Sequence, residues 1–428
     1  MPHLKQTRIV RGDLQNRPTF YRWLAGGLTF LAIALALWRP HWPGRVRMPD
    51  PFAYQTAIIA FAQGHLTLSD AELERSQMSA RLEGGQVVQY AALGPDRWAL
   101  RKAPGYPLLV VPFQWLHRPG LANATLAILA ALALYAWLAE WANEAVACLG
   151  VLLYLWSPIT LVALHTWTMD TFASGATLLI GACCLFSAGR QPRNWLWFAG
   201  GLAIGLGLFV RLQNLPLCLL LLLWVTIRHW KGSGVWYLLV GFGLPLLLLL
   251  VYNQAVFGHF LDSGYRYPSP YQSLFLWESN PATQIAGRDT WLANPGPAGL
   301  LLAVGQHLVW WLEPLLRGWP LWPLSLFGLW FYWPSERAMS WLMALWLLLT
   351  YAPYAGVVYF GVSYELTVPF YRGWGFFALD RYLFPAGLPF IYGLLCWLRS
   401  GRDNATLYFS LIVLYLALGG TIFWLATG

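Results

Sequence analysis

Apolar segments long enough to enter or cross a lipid bilayer recur along almost the whole chain, separated by short charged stretches. A helix needs about 20 apolar residues to cross ~30 Å of hydrocarbon. In that solvent each backbone N–H and C=O must find its partner within the structure, so continuous apolar runs read as helices. Hydropathy marks thirteen: 23–38, 106–117, 121–138, 145–157, 158–169, 171–188, 195–210, 212–227, 235–252, 319–333, 340–360, 383–398 and 405–426. A chain that is 58% apolar and 11% charged, with 27 Trp, exceeds what a soluble core could bury. The expectation is an all-α polytopic membrane protein of about 13 transmembrane helices. It forms one integral domain, 1–428, with no internal repeat.

Charge orients the spans. Arg and Lys gather in the 1–22 tail, in 190–193, in 228–231, at Arg337 and in 399–402, and the positive-inside rule makes these cytoplasmic. Asp50, Asp70, Glu72, Asp262, Glu278, Asp289, Glu365 and Asp380 fall in the remaining loops, 39–105, 253–318 and 361–382, which are then extracytoplasmic. Placing both His117-Arg118 and Arg190 inside forces an even number of crossings between them. Breaking 145–169 at Ser157-Pro158 supplies the extra one, because proline interrupts a helix. Segment 299–316 ends in Trp310-Trp311-Leu312-Glu313-Pro314 and is read as a helix lying in the interface. The net charge of +9 is spread through short loops, without the contiguous basic face that nucleic acid requires. Cys148, Cys183, Cys184, Cys218 and Cys396 all lie in apolar runs and read as small core residues.

The long first loop, 39–105, is the stretch a mere helix bundle would not need. It opens on Met48-Pro49-Asp50-Pro51-Phe52-Ala53-Tyr54 and closes on Arg101-Lys102-Ala103-Pro104-Gly105-Tyr106-Pro107. Further polar punctuation follows: Trp167-Thr168-Met169-Asp170 before a span, Arg211-Leu212-Gln213-Asn214 ending one, Asn253 with Phe257-Gly258 and then Gly264-Tyr265, and Asp380-Arg381-Tyr382-Leu383-Phe384-Pro385 opening a late span. In this order and topology the pieces resemble the integral-membrane glycosyltransferases of the C-type fold, near the protein O-mannosyltransferase and lipid A aminoarabinose transferase group. The resemblance covers roughly residues 20–400. One departure stands out: members often carry two adjacent acids in the first loop, and here Asp50 is followed by Pro51.

The resemblance implies a polyprenyl-phosphate sugar donor, a hydroxyl acceptor of unknown identity, and inverting transfer on the extracytoplasmic side of a bacterial inner or plasma membrane. Such a displacement needs one base on the acceptor side and positive charge at the departing phosphate. Asp50 is the candidate base, with a solvated loop acid or helix cap as the alternative. Arg381, Arg211 and Lys102 are candidates for the donor phosphate, since guanidinium grips phosphate through two bonds. The competing roles are a salt bridge with Asp380 for Arg381, snorkelling for Arg211 and interfacial anchoring for Lys102. Asp170, Tyr54, Asn253, Tyr265 and Tyr382 are candidates for acceptor or sugar. The competing roles are a cap on the following helix for Asp170 and the folding of their loop for Asn253 and Tyr265. His165 reads as a core histidine. No cofactor is required by these residues, and a divalent metal stays open. A transporter or flippase of lipid-linked sugars and a non-enzymatic subunit of a membrane complex are the other two functional classes.

Overall fold

A computed structural model describes residues 22, 25–27, 29–31, 34, 49–75, 81–82, 86–87, 89–166, 170–191, 193–267, 315–316, 318–331, 337–355, 384–400, 410 and 413–421. The first loop is itself structured. Helix α1 (Pro49–Ala62) leads to the short α2 (Asp70–Arg75), then to two hairpins, β1–β2 (Arg81–Leu82, Gln86–Val87) and β3–β4 (Tyr90–Gly94, Arg97–Leu100). A capping box starts α2: the Glu72 carboxylate accepts the Ser69 N–H at 2.8 Å, and the Ser69 hydroxyl oxygen accepts the Glu72 N–H at 3.2 Å. The Tyr90 hydroxyl donates to the Ala53 carbonyl at 2.8 Å, which fastens the second hairpin to α1. Tyr54, Ile58, Leu100 and Tyr106 close a small core of their own beneath it.

The bundle follows: α3 (Gly105–Trp115), α4 (Leu121–Trp141), α5 (Glu144–Leu155), α6 (Pro158–Thr166), α7 (Asp170–Ala188), α8 (Asn194–Val210), a 3-10 turn (Leu212–Asn214), α9 (Leu215–His229) and α10 (Gly234–Phe257). Helices α11 (Trp322–Phe331), α12 (Arg337–Ala355) and α13 (Gly387–Ser400) come later. Among the described residues, Leu121–Trp141, Asp170–Ala188, Leu212–His229 and Gly234–Phe257 are long and apolar enough to cross a membrane, and the pair α5–α6 makes a fifth such span bent by 61°. Helix α7 is the axis of the bundle, with 89% of its apolar window buried, against 28% for Leu212–His229 and 33% for α10. The outer helices turn Leu219, Leu223, Trp236 and Leu247 outward, as lipid-facing surfaces do. Helices α8 and α10 meet through Gly201 and Gly241, where a methyl group would overlap the Leu238 and Phe198 carbonyls.

Two expectations change. Segment 106–117 does not cross. Helix α3 has 11 residues, about 16 Å at 1.5 Å per residue, half the hydrocarbon thickness. It runs parallel to α1: Tyr54 meets Tyr106 near their starts, at 5.3 Å between rings, and Trp115 donates to the Ala62 carbonyl near their ends, at 2.9 Å. The Tyr106 hydroxyl and Asn123 Oδ1 stand 3.4 Å apart, so α3 and α4 begin at the same end of the bundle. The second change concerns 145–169. Its break at Ser157-Pro158 is present, with the Ser157 hydroxyl held between the Tyr154 carbonyl and Thr160, but α5 and α6 form one bent span. Glu144 pairs with Arg22 at 2.7 Å and Glu140 with Gln191 at 2.7 Å, while Asn123 donates to the Ala163 carbonyl near the end of α6. Helix α4 therefore runs one way along the bundle and α5–α6 runs back. The even-crossing requirement came from placing His117-Arg118 on the same side as Arg190–Arg193, and the packing puts the start of α4 and the end of α7 at opposite ends of the bundle.

The rest of the expected topology, spans 23–38 and 405–426 and most of loops 253–318 and 361–382, falls largely outside the described residues.

Candidate functional site

Four segments far apart in sequence bring polar side chains to one end of the bundle: the exit of the first loop, the start of α7, the α8–α9 junction and the turn after α10. Two glycines hold this arrangement together. Gly105 lies so close to the end of α8 that a methyl group would overlap the Phe209 carbonyl, which seats Arg101-Lys102 beside Arg211. Gly264 lies directly on the Arg101 backbone, which seats Tyr265 beside Lys102. Both glycines belong to motifs read from the sequence, and steric closeness is what they supply.

At the α8–α9 junction Arg211 takes an extended backbone, φ −153° and ψ 109°, and ends α8. The Asn214 amide donates to the Gly207 carbonyl at 3.1 Å, which also accepts the Arg211 N–H at 3.1 Å. The Arg211 guanidinium donates to Asp170 Oδ2 at 2.9 Å, and the two side chains are 10% and 9% exposed. Asp170 opens α7, and no capping bond from it is needed to explain its place: it meets the charge of Arg211 at membrane depth. Burying such a pair is worthwhile only with good geometry, since the desolvation of each ion offsets most of the attraction.

Lys102 Nζ stands 5.2 Å over the Tyr54 ring, which in turn meets Tyr106 edge-on. Arg101 is buried, donates to the Tyr267 carbonyl, and has its guanidinium pKa lowered by that burial. The Tyr265 hydroxyl accepts from Gln213 Nε2 at 3.1 Å. Although 43% of Tyr265 is exposed, its hydroxyl end sits within the cluster. Loss of solvent raises its pKa, Lys102, the Gln213 bond and Arg211 pull it down, and Asp170 raises it again. It stays a protonated donor at neutral pH.

Asp50 is the second residue of α1. It lies one helical turn before Tyr54, so the two positions share a helix face at 3.6 residues per turn. Asn253 is elsewhere occupied: its amide donates to the Phe260 carbonyl at 3.0 Å and shapes the turn after α10. Arg381 and Tyr382 lie outside the described residues, as does the His165 side chain. A later residue of the same motif is placed, however. Phe384 packs edge-on against Phe172 at 5.3 Å and against Gly175, both on α7 within two turns of Asp170.

Gln213 was quoted only as part of a motif, and the structure adds it to the site. Its Oε1 is buried and has no hydrogen-bond partner among the described atoms, and the same holds for the Thr171 hydroxyl beside Asp170. Nothing in the spacing of Arg211-Leu212-Gln213-Asn214 distinguishes it from a helix-end glutamine. Among the described residues, no three His, Cys, Asp or Glu side chains come together as metal ligands.

No family model matches the chain, and no curated protein matches it. Solved structures are similar in fold. The oligosaccharyltransferase of Archaeoglobus fulgidus in the apo form superposes with a TM-score of 0.48 at 12% identity, over 97% of this chain and 55% of that one. ArnT from Cupriavidus metallidurans bound to undecaprenyl phosphate superposes with a TM-score of 0.49 at 14% identity, over 94% and 63%. The chain thus spans less than two thirds of either protein's length. At this level of likeness, the functional reading stands on the chain's own residues.

Proposed function

We propose that the protein is a membrane glycosyltransferase that moves a sugar from a polyprenyl-phosphate donor to an acceptor hydroxyl on the extracytoplasmic side, with inversion. The observation that carries this reading is the gathering of Arg101, Lys102, Arg211, Tyr265 and Gln213 at the end of the bundle where α1 brings Asp50. In the proposed step the acceptor O–H gives its proton to the Asp50 carboxylate as its oxygen attacks the anomeric carbon. The bond from that carbon to the donor phosphate breaks, and the phosphate leaves with the electron pair. Cations held in a low-dielectric site stabilise that charge better than exposed ones.

Lys102 and Arg381 are the leading phosphate ligands in this reading. Arg211 is committed to Asp170, and its proposed part is to add positive potential and to hold the α8–α9 junction. Arg381 is tethered three residues before Phe384, about 10 Å of extended chain, and Phe384 packs on the α7 end that bears Asp170. Gln213, Tyr265 and Tyr54, with Tyr382, are proposed to meet sugar and acceptor hydroxyls. A flippase would need a polar path along the bundle. Among the described residues the helix at its axis, α7, is instead buried and uncharged beyond Asp170, and its Ser174 and Thr177 hydroxyls are bonded back to carbonyls of their own helix.

The test is transfer in proteoliposomes supplied with undecaprenyl-phosphate sugars, combined with mass spectrometry of envelope glycans from cells with and without the chain. Absence of any change in glycans, together with transport of the lipid-linked sugar across the bilayer, would replace this reading with the flippase. Orientation is tested by cysteine labelling: reagent from outside should reach Ser76→Cys but not Gln191→Cys.

A further inference from the structure

At the opposite end of the bundle, a cavity of about 640 Å³ opens between the α7–α8 turn and the α9–α10 turn. Its polar lining is basic. Arg228, His229 and Lys231 contribute side chains, and the first residues of both α8 (Asn194) and α10 (Gly234) form part of its wall. Neither helix has a side-chain cap, so their positive ends face the cavity without a resident acceptor from Arg193 or Ser233.

Two of these side chains, Arg228 and His229, are held in place. The Arg228 guanidinium lies 4.9 Å over the Trp224 ring, one turn back on α9, and Trp224 abuts Phe186 of α7 edge-on. His229 packs edge-on against Trp197 at 5.0 Å and reaches Gly189, which links the two turns across the cavity. Two acids at this end are engaged elsewhere, Glu140 by Gln191 and Glu144 by Arg22.

The mouth is apolar. Of its lining residues Ile227 is 77% exposed and Trp230 73%, and Trp236, two residues beyond the lining on α10, is 72% exposed. Indole side chains at the end of lipid-facing helices mark headgroup depth. A ligand for this place must carry negative charge with several acceptor oxygens on one part and apolar chains on another. We infer that the cavity binds the phosphate headgroup of an anionic phospholipid, in the leaflet away from the proposed sugar site. Basic pockets between helix ends take such headgroups. Free inorganic phosphate shares the polar chemistry, but would not need the exposed apolar rim.

Native mass spectrometry of the full chain in detergent tests this without any assay of sugar transfer, so it stands or falls apart from that function. Phosphatidylglycerol should be retained as a bound adduct in clear preference to phosphatidylcholine. Arg228→Gln with Lys231→Gln should weaken that preference, by roughly fivefold for each cation removed. Lys231→Glu alone, on an exposed turn residue, should weaken it further than Lys231→Gln. Arg190→Gln with Arg193→Gln, basic positions of the neighbouring turn that do not line the cavity, should change it much less. Equal retention of the two lipids overturns the inference, and so does an equal loss in the Arg190/Arg193 pair, which would mean diffuse charge. Displacement of the lipid by millimolar inorganic phosphate would show a free-phosphate site and overturn the lipid assignment.

Discussion

At the end of the bundle that carries Lys102 and Tyr265, Arg211 and Asp170 pair at 2.9 Å with 10% and 9% of their side chains exposed. At the other end Arg22 and Glu144 pair at 2.7 Å, with 66% and 24% exposed. The distances are alike and the surroundings are not. An exposed pair costs little and contributes little. A buried pair carries the desolvation of both ions, and an apolar pair of the same shape often stabilises as well or better. Both ends join segments distant in sequence, but the first is fitted by Gly105 and Gly264 so that its polar groups meet out of solvent. Among the described residues the buried pair stands at the end for which sugar transfer is proposed, and the anionic lipid is proposed for the other.

The proposal for that first end breaks most sharply at Asp50. Asp50→Asn keeps the size and removes the proton acceptor, so transfer should fall on the order of 10²–10⁴-fold while folding and donor binding persist. Turnover within a few-fold of the wild type would make Asp50 a helix cap and leave the end without a base.

Next comes the buried pair. Asp170→Ala leaves Arg211 uncompensated and should destabilise by about 3–5 kcal/mol in thermal unfolding, whereas Asp170→Leu with Arg211→Met should recover most of that loss. Glu144→Ala should leave the unfolding temperature essentially unchanged. Equal effects of Asp170→Ala and Glu144→Ala would erase the contrast between the two ends.

Donor affinity is the third test. Arg381→Ala or Lys102→Ala should weaken binding of a polyprenyl-phosphate sugar by roughly 10- to 150-fold, the loss of a charge-assisted contact. Arg381→Lys should lose less, since it keeps the charge without the two-bond fork. Unchanged affinity in both alanine variants would move the phosphate to Arg101 or Arg211.

Gly264→Ala comes fourth. A methyl group there has to displace the Arg101 backbone, so stability should drop by about 1–3 kcal/mol, and transfer should fall with it as Tyr265 leaves Lys102. Loss of stability with normal transfer would separate the glycine from the site.

The smallest effect belongs to the first loop. The Ser69 backbone bond holds the Glu72 carboxyl below its ordinary pKa of 4.5, with burial opposing and His65 and the Ser69 hydroxyl helping. A lowered folded-state pKa contributes stability above the unfolded value and loses it as pH falls through the folded one. Amide exchange in 69–75 should therefore quicken below about pH 4.5, and pH-independent exchange protection would remove the capping box from the account.

Sequence alone was enough for the membrane class, because bilayer length and backbone pairing leave a long apolar run little choice. It also marked the segments that meet at the site, since Asp170, Arg211 and Lys102 interrupt or border apolar runs where charge is costly. The bend at Ser157-Pro158 was legible from proline's missing N–H. What no one-dimensional reading could decide was which of these segments touch. Whether 106–117 crosses depends on Tyr106 meeting Asn123 and Trp115 meeting the Ala62 carbonyl, contacts that hydropathy does not see. Arg211 could have snorkelled, bound phosphate or paired, and only the packing of α7 against α8 put Asp170 within 2.9 Å of it. Gln213 looked like any helix-end amide until Gly264 seated Tyr265 against it. Solvent preference is a property of each segment and is written along the chain. Pairing of charges is a property of distances between segments, and those exist only once the helices have packed.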